Sequence, residues 1–211
     1  MINHPSITVY YKELKDIYST ISNADVSFKS IDNWISLVEH HAEIIGKKYQ
    51  NADDRIKIQN DFKGDMLEIL SEIFFKNSAF DDRFGLSNYT VSDSASDYGV
   101  DATGYNVNGH KCAVQCKYRV NPNPQGDDKL KYEDLAKTYF DGRENHNCDL
   151  DKDYTVFLFT TANEDSISHI IENNFKKKLV LVGRKRLSEI IHQNVNFWNL
   201  CLNEIDLYMS E

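Results

Sequence analysis

Proline and glycine are scarce in this 211-residue chain, at 3 and 9, which excludes collagen-like repeats and low-complexity linkers. Cysteine is scarce too. Cys112, Cys116, Cys148 and Cys201 are too few for a disulfide framework in a chain of this size, so reduced thiols and a cytoplasmic, non-secreted setting are expected. No apolar run approaches the roughly 18 residues that span a bilayer. The N-terminal MINHPSITVYYKELKD has no basic stretch followed by an apolar one, so no secretory signal is expected. Excess positive charge is also missing. A net charge of −9 excludes nucleic-acid binding through overall charge and leaves only local basic patches. No Walker-type glycine loop and no Ser-His-Asp arrangement with an elbow motif is present, so no nucleotide cofactor is expected.

What is present suffices for a core. Apolar residues make up 41% and aromatics 12%, which argues against wholesale disorder. The length suits one domain with an added element, or two small ones. Residues 1–54 read as a helical extension, with Trp34, Ile35, Leu37, Val38, Ile44 and Ile45 at roughly helical spacing and Asp32 as a candidate cap. Asn51 to Asp54 form a polar break with capping chemistry. The run from Arg55 to Lys76 carries one broad apolar stripe: Met66, Leu67, Ile69, Leu70, Ile73 and Phe74. Residues 77–99 are rich in Ser, Asp and Asn and predict a loop with a short edge strand near Tyr89 to Val91. Two strand-like runs follow, 100–107 and 111–120, joined by Asn108-Gly109, a strong hairpin signal. The rest predicts a helix over 130–142, a strand buried on both faces over 154–161, a helix over 164–175, a short buried strand over 178–183 and a helix over 186–194. Residues 196–211 read as a helical tail with Trp198, Cys201, Leu202 and Ile205 inward. The order implies an α/β fold: a mixed central sheet flanked by helices.

Polar residues on the hairpin are the candidate site. Side chains alternate along a strand, so Ala113, Gln115 and Lys117 share one face, and Cys112, Val114 and Cys116 the other. Whether Asp101 joins Gln115 and Lys117 depends on register. A two-residue turn at Asn108-Gly109 pairs 107 with 110 and points Asp101 away from Lys117. A three-residue loop with Gly109 in the left-handed position of a G1 bulge pairs 106 with 110 and sets Asp101 opposite Gln115. A shared site therefore demands the bulge, or an irregularity elsewhere in the hairpin with the same effect.

Asp97-Tyr-Gly-Val-Asp101, then a hairpin, then Gln115-Cys-Lys117 resembles the Mrr-type branch of the PD-(D/E)XK nucleases, the restriction-endonuclease-like superfamily. Lys63-Gly-Asp-Met-Leu-Glu68 is similar to that branch's G-x-x-x-E helix, and the order of elements over about 60–195 is similar too. The resemblance implies a restriction-endonuclease-like core over 55–195 and hydrolysis of DNA phosphodiester bonds with Mg²⁺, for which Mn²⁺ may substitute. Asp101, Gln115 and Glu68 would hold the ion through oxygen, and Lys117 would position water or offset phosphate charge. Gln115 stands where many members carry an acid, which makes Glu68, or else Asp97, more useful. On a helical wheel Glu68 lies nearly opposite the centre of the apolar stripe.

Plainer roles are expected elsewhere. Asp97 more often caps the turn before Gly99. The cysteines lack a second pair at zinc-finger spacing and are expected as buried thiols. His40 and His41 are expected at the surface. For DNA phosphates, the candidate contacts are Lys111, Arg119, Lys129 and Lys131 along the hairpin and the loop after it, with Arg184, Lys185 and Arg186 near the last strand, beside Lys176 to Lys178. Double-strand cutting would need a homodimer or successive nicking. A junction-resolving nuclease and a catalytically silent binding subunit are the alternative readings. Residues 1–50 carry no excess of basic residues, so they are expected to brace the core or form a dimer interface.

Overall fold

A computed structural model describes residues 2–77, 80, 84–92, 99–166, 175 and 177–210. They form two compact units, Met1–Ile73 with Ser188–Glu211, and Phe74–Leu187. The divisions expected at 54/55 and 195/196 both lie inside the first unit.

The first unit is helical. Helix α1 spans Ser6–Asn23, α2 Ile31–Gly46 and α3 Ala52–Lys76, of which residues up to 73 belong here. Ser30, not Asp32, caps α2, its side chain accepting from Asn33 N at 3.2 Å. The reason is position: Ser30 has the extended backbone a cap requires, whereas Asp32 is already inside the first turn. The polar break before α3 behaves as expected, Asn51 Oδ1 accepting from Asp53 N at 2.8 Å. The C-terminal helix α6, Phe197–Ser210, packs on α1 because its apolar stripe needs cover. Trp198 lies beside Tyr18, with ring centroids 6.1 Å apart, and Lys15 pairs with Asp206 at 3.0 Å.

The second unit is α/β, built on a five-stranded mixed open sheet in the order β1-β2-β3-β4-β5. Its strands are β1 Ser87–Val91, β2 Ala102–Tyr105, β3 Lys111–Lys117, β4 Val156–Thr160 and β5 Leu179–Val182. The first three pair antiparallel, and β3, β4 and β5 run parallel. Helix α4, Tyr132–Glu144, connects β3 to β4, and α5, Arg184–Gln193, begins in this unit. Strand β4 is buried along its whole length. Its alternation feeds two cores: Phe157 and Phe159 meet Phe75 on one face, while Val156 and Leu158 join Val100, Ala113, Leu135 and Leu150 on the other. Strand β5 is only half-buried, because it is an edge strand rather than the interior one its apolar sequence suggests. Of the helix expected over 164–175, residues 167–174 lie outside the described residues. Among the described residues no helix is long and apolar enough to cross a membrane.

Candidate active site on the hairpin

The turn decides the site. Asn106 N donates to His110 O at 3.0 Å, Gly109 N donates to Asn106 O at 2.9 Å, and Gly109 has φ +74°. Asn106 Oδ1 ties the loop down by accepting from Asn108 N and His110 N, both at 3.0 Å. This is the three-residue loop with a left-handed glycine. The strands then pair Tyr105 with Lys111, Gly104 with Cys112, Thr103 with Ala113 and Ala102 with Val114. The ladder ends there: beyond it Asp101 N donates to Val114 O at 2.9 Å, and Gln115 Nε2 reaches the Asp101 side chain, donating to Oδ2 at 2.7 Å. The same carboxylate oxygen accepts from Cys116 N at 2.5 Å.

Helix α4 covers this face. Thr138 is fully buried, and its hydroxyl lies 2.7 Å from Gln115 Oε1, 2.7 Å from Gly99 O and 3.0 Å from Asp134 O. Gly99 has φ +129°, and a Cβ there would meet Thr138 N at 3.2 Å and Gln115 Oε1 at 3.4 Å. The Gly of the D-x-G-V-D string is therefore required by backbone conformation and by the approach of α4.

These residues line a cleft of about 560 Å³ with Asp101, Gln115 and Lys117 along one wall and Asp134, Lys137, Phe140, Asp141 and Glu144 along the other. Asp101 is 8% and Gln115 2% exposed. Asp141 is almost as buried. Its Oδ1 accepts from Asn145 Nδ2 at 2.7 Å, and its Oδ2 has no hydrogen-bond partner, with His146 Nε2 3.5 Å away. Sequence reasoning missed the α4 wall. Asp134, Thr138, Asp141 and Asn145 recur at helical spacing, the signal that would have found it.

The oxygen donors of the cleft suit a hard divalent cation. Four carboxylates against two lysines leave the cleft acidic, which favours a cation and disfavours a bare anion. As placed, Gln115 turns its amide nitrogen, not its oxygen, toward Asp101. A half-turn of the amide supplies the second oxygen, and a hydroxyl such as that of Thr138 both donates and accepts.

Glu68 belongs to the helical unit, and its Oε2 lies 3.0 Å from His4 Nε2. His4, Asp65 and Glu68 are the one group of three potential metal-ligating side chains among the described residues whose ligand atoms all lie within 4.8 Å of one another. Their hydrogen bonds make a closed staple. His4 Nδ1 accepts from Ser6 N at 3.2 Å, so the ring proton sits on Nε2 and faces Glu68. Glu72, fully buried, accepts from Asn3 N at 2.7 Å and His4 N at 3.1 Å. Burial, and next Glu68, push the Asp65 carboxyl above the ordinary carboxylate range, against the Ser6 hydroxyl bond that lowers it. Asp97 lies outside the described residues.

The basic candidates are mostly engaged with their own unit. Lys111 Nζ donates to His146 O at 2.6 Å, Arg119 holds Asp128 O at 2.5 Å and Tyr118 O at 2.7 Å, and Arg184 holds Val120 O at 3.0 Å. Lys185 pairs with Asp165, and Arg186 lies over the Phe84 ring at 5.6 Å. Lys131 N donates to Asp134 Oδ2 at 3.3 Å, capping α4. Lys129 is exposed, and Lys176 lies outside the described residues. All four cysteines are free and buried, as expected. Burial pushes Cys112 up to about 12 and Cys148 up to about 11.

No family model, no curated protein and no solved structure matches the chain.

Proposed function

We propose that the sheet unit is a metal-dependent DNA endonuclease with a restriction-endonuclease-like core, in which Asp101, Gln115 and Lys117 do the work. The observation that carries this reading is the hairpin register. A single left-handed glycine shifts the pairing so that the three residues share one face and one cleft. The alternative register would have pointed Asp101 away from Gln115 and Lys117.

Asp101 and Gln115 would hold Mg²⁺ through oxygen, and Mn²⁺ has the same preference. The ion, when bound, polarises the phosphate and lowers the pKa of a bound water. Lys117, at the end of β3, brings an ammonium to the same face. Its donors suit a non-bridging phosphate oxygen, whose charge grows in the transition state. Buried Thr138 and the approach of Gly99 confine the Gln115 side chain beside Asp101, so it has no search to make for the site. Asp141, whose buried Oδ2 makes no hydrogen bond and has only His146 Nε2 nearby at 3.5 Å, is the acid in the cleft best suited to supply the charge that Gln115 lacks.

Purified protein incubated with Mg²⁺ and linear, supercoiled or four-way-junction DNA tests the proposal. Cleavage that requires the ion and disappears in Lys117→Ala is the expected result. A preference for the junction would redirect the reading to a resolving nuclease. Absence of cleavage on every substrate with Mg²⁺ and with Mn²⁺ overturns it.

A further inference from the structure

We infer that Thr138 is a hydroxyl switch that lets the Gln115 amide turn when a divalent cation enters the cleft; this rests on the metal-dependent reading above. Three oxygens surround the Thr138 hydroxyl: Gln115 Oε1 at 2.7 Å, Gly99 O at 2.7 Å and Asp134 O at 3.0 Å. A hydroxyl has one proton and donates to one of them at a time, while its lone pairs can accept. Without a cation, Gln115 Nε2 donates to Asp101 Oδ2 and Oε1 receives the Thr138 proton.

Turning the amide would bring Oε1 against Asp101 Oδ2. Two oxygens at hydrogen-bond distance repel unless a cation bonds both. With the cation present, that arrangement becomes the favourable one. Nε2 then faces Thr138 Oγ, which accepts its hydrogen and redirects its own proton to Gly99 O or Asp134 O. Both states keep the buried amide paired. Pairing matters here because Gln115 is 2% exposed and Thr138 fully buried, so water has little access to either.

The consequence differs between the two states. In Thr138→Val the resting amide loses a donor to its oxygen, whereas the turned amide leaves an N–H buried without an acceptor. Orphaned buried N–H groups are the rarer, costlier defect. Cation affinity should therefore fall, by roughly tenfold. Thr138→Ser keeps the hydroxyl and should restore it. In Gln115→Glu the carboxylate has no N–H to satisfy, so adding Thr138→Val there should change affinity by less than about twofold.

Calorimetric titration with Mn²⁺ across these variants measures the affinities. NMR of the Gln115 side-chain amide during Mg²⁺ titration reports the turn directly. Movement of that amide signal, a weakened Thr138→Val, rescue by serine and no effect in the Gln115→Glu background are the expected results. Cation binding with the amide signal unmoved, or with Thr138→Val equal to wild type, overturns the switch alone. No cation binding by the wild-type protein overturns the metal reading as well.

Discussion

Each unit of this chain gathers acids around a polar partner, and the two gatherings differ in what they leave open. In the helical unit, His4, Asp65, Glu68 and Glu72 close on one another and on backbone N–H groups. In the sheet unit, Asp101 and Gln115 pair at the wall of a cleft that also holds two lysines and an acid, Asp141, with one oxygen outside any hydrogen bond. The set with the better ligand composition also braces the N-terminal segment: His4 bonds Glu68, and neighbouring Glu72 accepts from the Asn3 and His4 N–H groups. Composition nominates a site; accessible volume and unpaired atoms distinguish it.

The sharpest way to break this contrast is to remove one residue from each side. Lys117→Ala should lower cleavage by at least roughly a hundredfold, with DNA affinity kept within about tenfold because one phosphate contact among several is lost. Its melting temperature should not move. Comparable cleavage in mutant and wild type would show that the cleft is not catalytic. Glu72→Ala should do the reverse in stability. It orphans two backbone N–H groups that bond to a charged acceptor, worth roughly 2–3 kcal/mol, and so lowers Tm by roughly 5–10 °C. A Glu72→Ala protein melting at the wild-type temperature would mean that the staple holds nothing.

The cysteines test whether the interior of the sheet unit is as dry as it looks. Burial raises Cys112 to about 12 and Cys148 to about 11, whereas an unfolded thiol ionises near 8.5. The folded state thus retains protons that the unfolded state releases. Stability should begin to fall as pH rises past roughly 8.5 and continue falling toward the folded values. Denaturant titrations at rising pH measure this, and alkylation of the native protein at neutral pH should be slow. Rapid modification of Cys112 at pH 7 would contradict the buried placement.

The smallest effect belongs to Asp65, whose carboxyl is raised chiefly by burial. A raised carboxyl means that the folded state holds the proton more tightly than the unfolded state. Stability is then lost as pH climbs from roughly 3.9 through the raised value. Asp65→Asn should give a slight gain in Tm at neutral pH, absent below the ordinary carboxylate range. A loss at neutral pH would show that the charge itself is needed by the staple.

Much of the sheet unit was legible because strands write their faces into alternate residues. Asn108-Gly109 marked the turn, and the parity of Asp101 against Gln115 reduced the site to one question, the loop length. The α4 wall left only a partial trace: its polar residues recur at helical spacing, but an amphipathic helix does not announce which of them will meet a strand. Thr138 and Asp141 became visible only once Gln115 had a partner. The G-x-x-x-E string marks Glu68 as a candidate cation ligand but does not show that its side chain lies on His4, 64 residues earlier. Contacts over that separation leave no local periodicity. Strand β5 is less buried than its sequence suggests for a different reason: an apolar run does not say whether it sits inside a sheet or at its edge.

Asp101 has a second duty that bears on how the cleft can change. The β2 ladder ends at the pair of Ala102 and Val114. Beyond it, Val114 O still accepts from Asp101 N at 2.9 Å, but the next N–H, that of Cys116, goes to the Asp101 carboxylate instead of a backbone carbonyl. The acid therefore finishes the sheet as well as furnishing the cleft. Replacing it by alanine frays the strand that carries Gln115 and Lys117, so loss of activity in that variant mixes chemistry with geometry. Asparagine keeps an acceptor for Cys116 while removing the charge. Whatever the cleft binds, the ladder alone gives reason to keep an oxygen at this position.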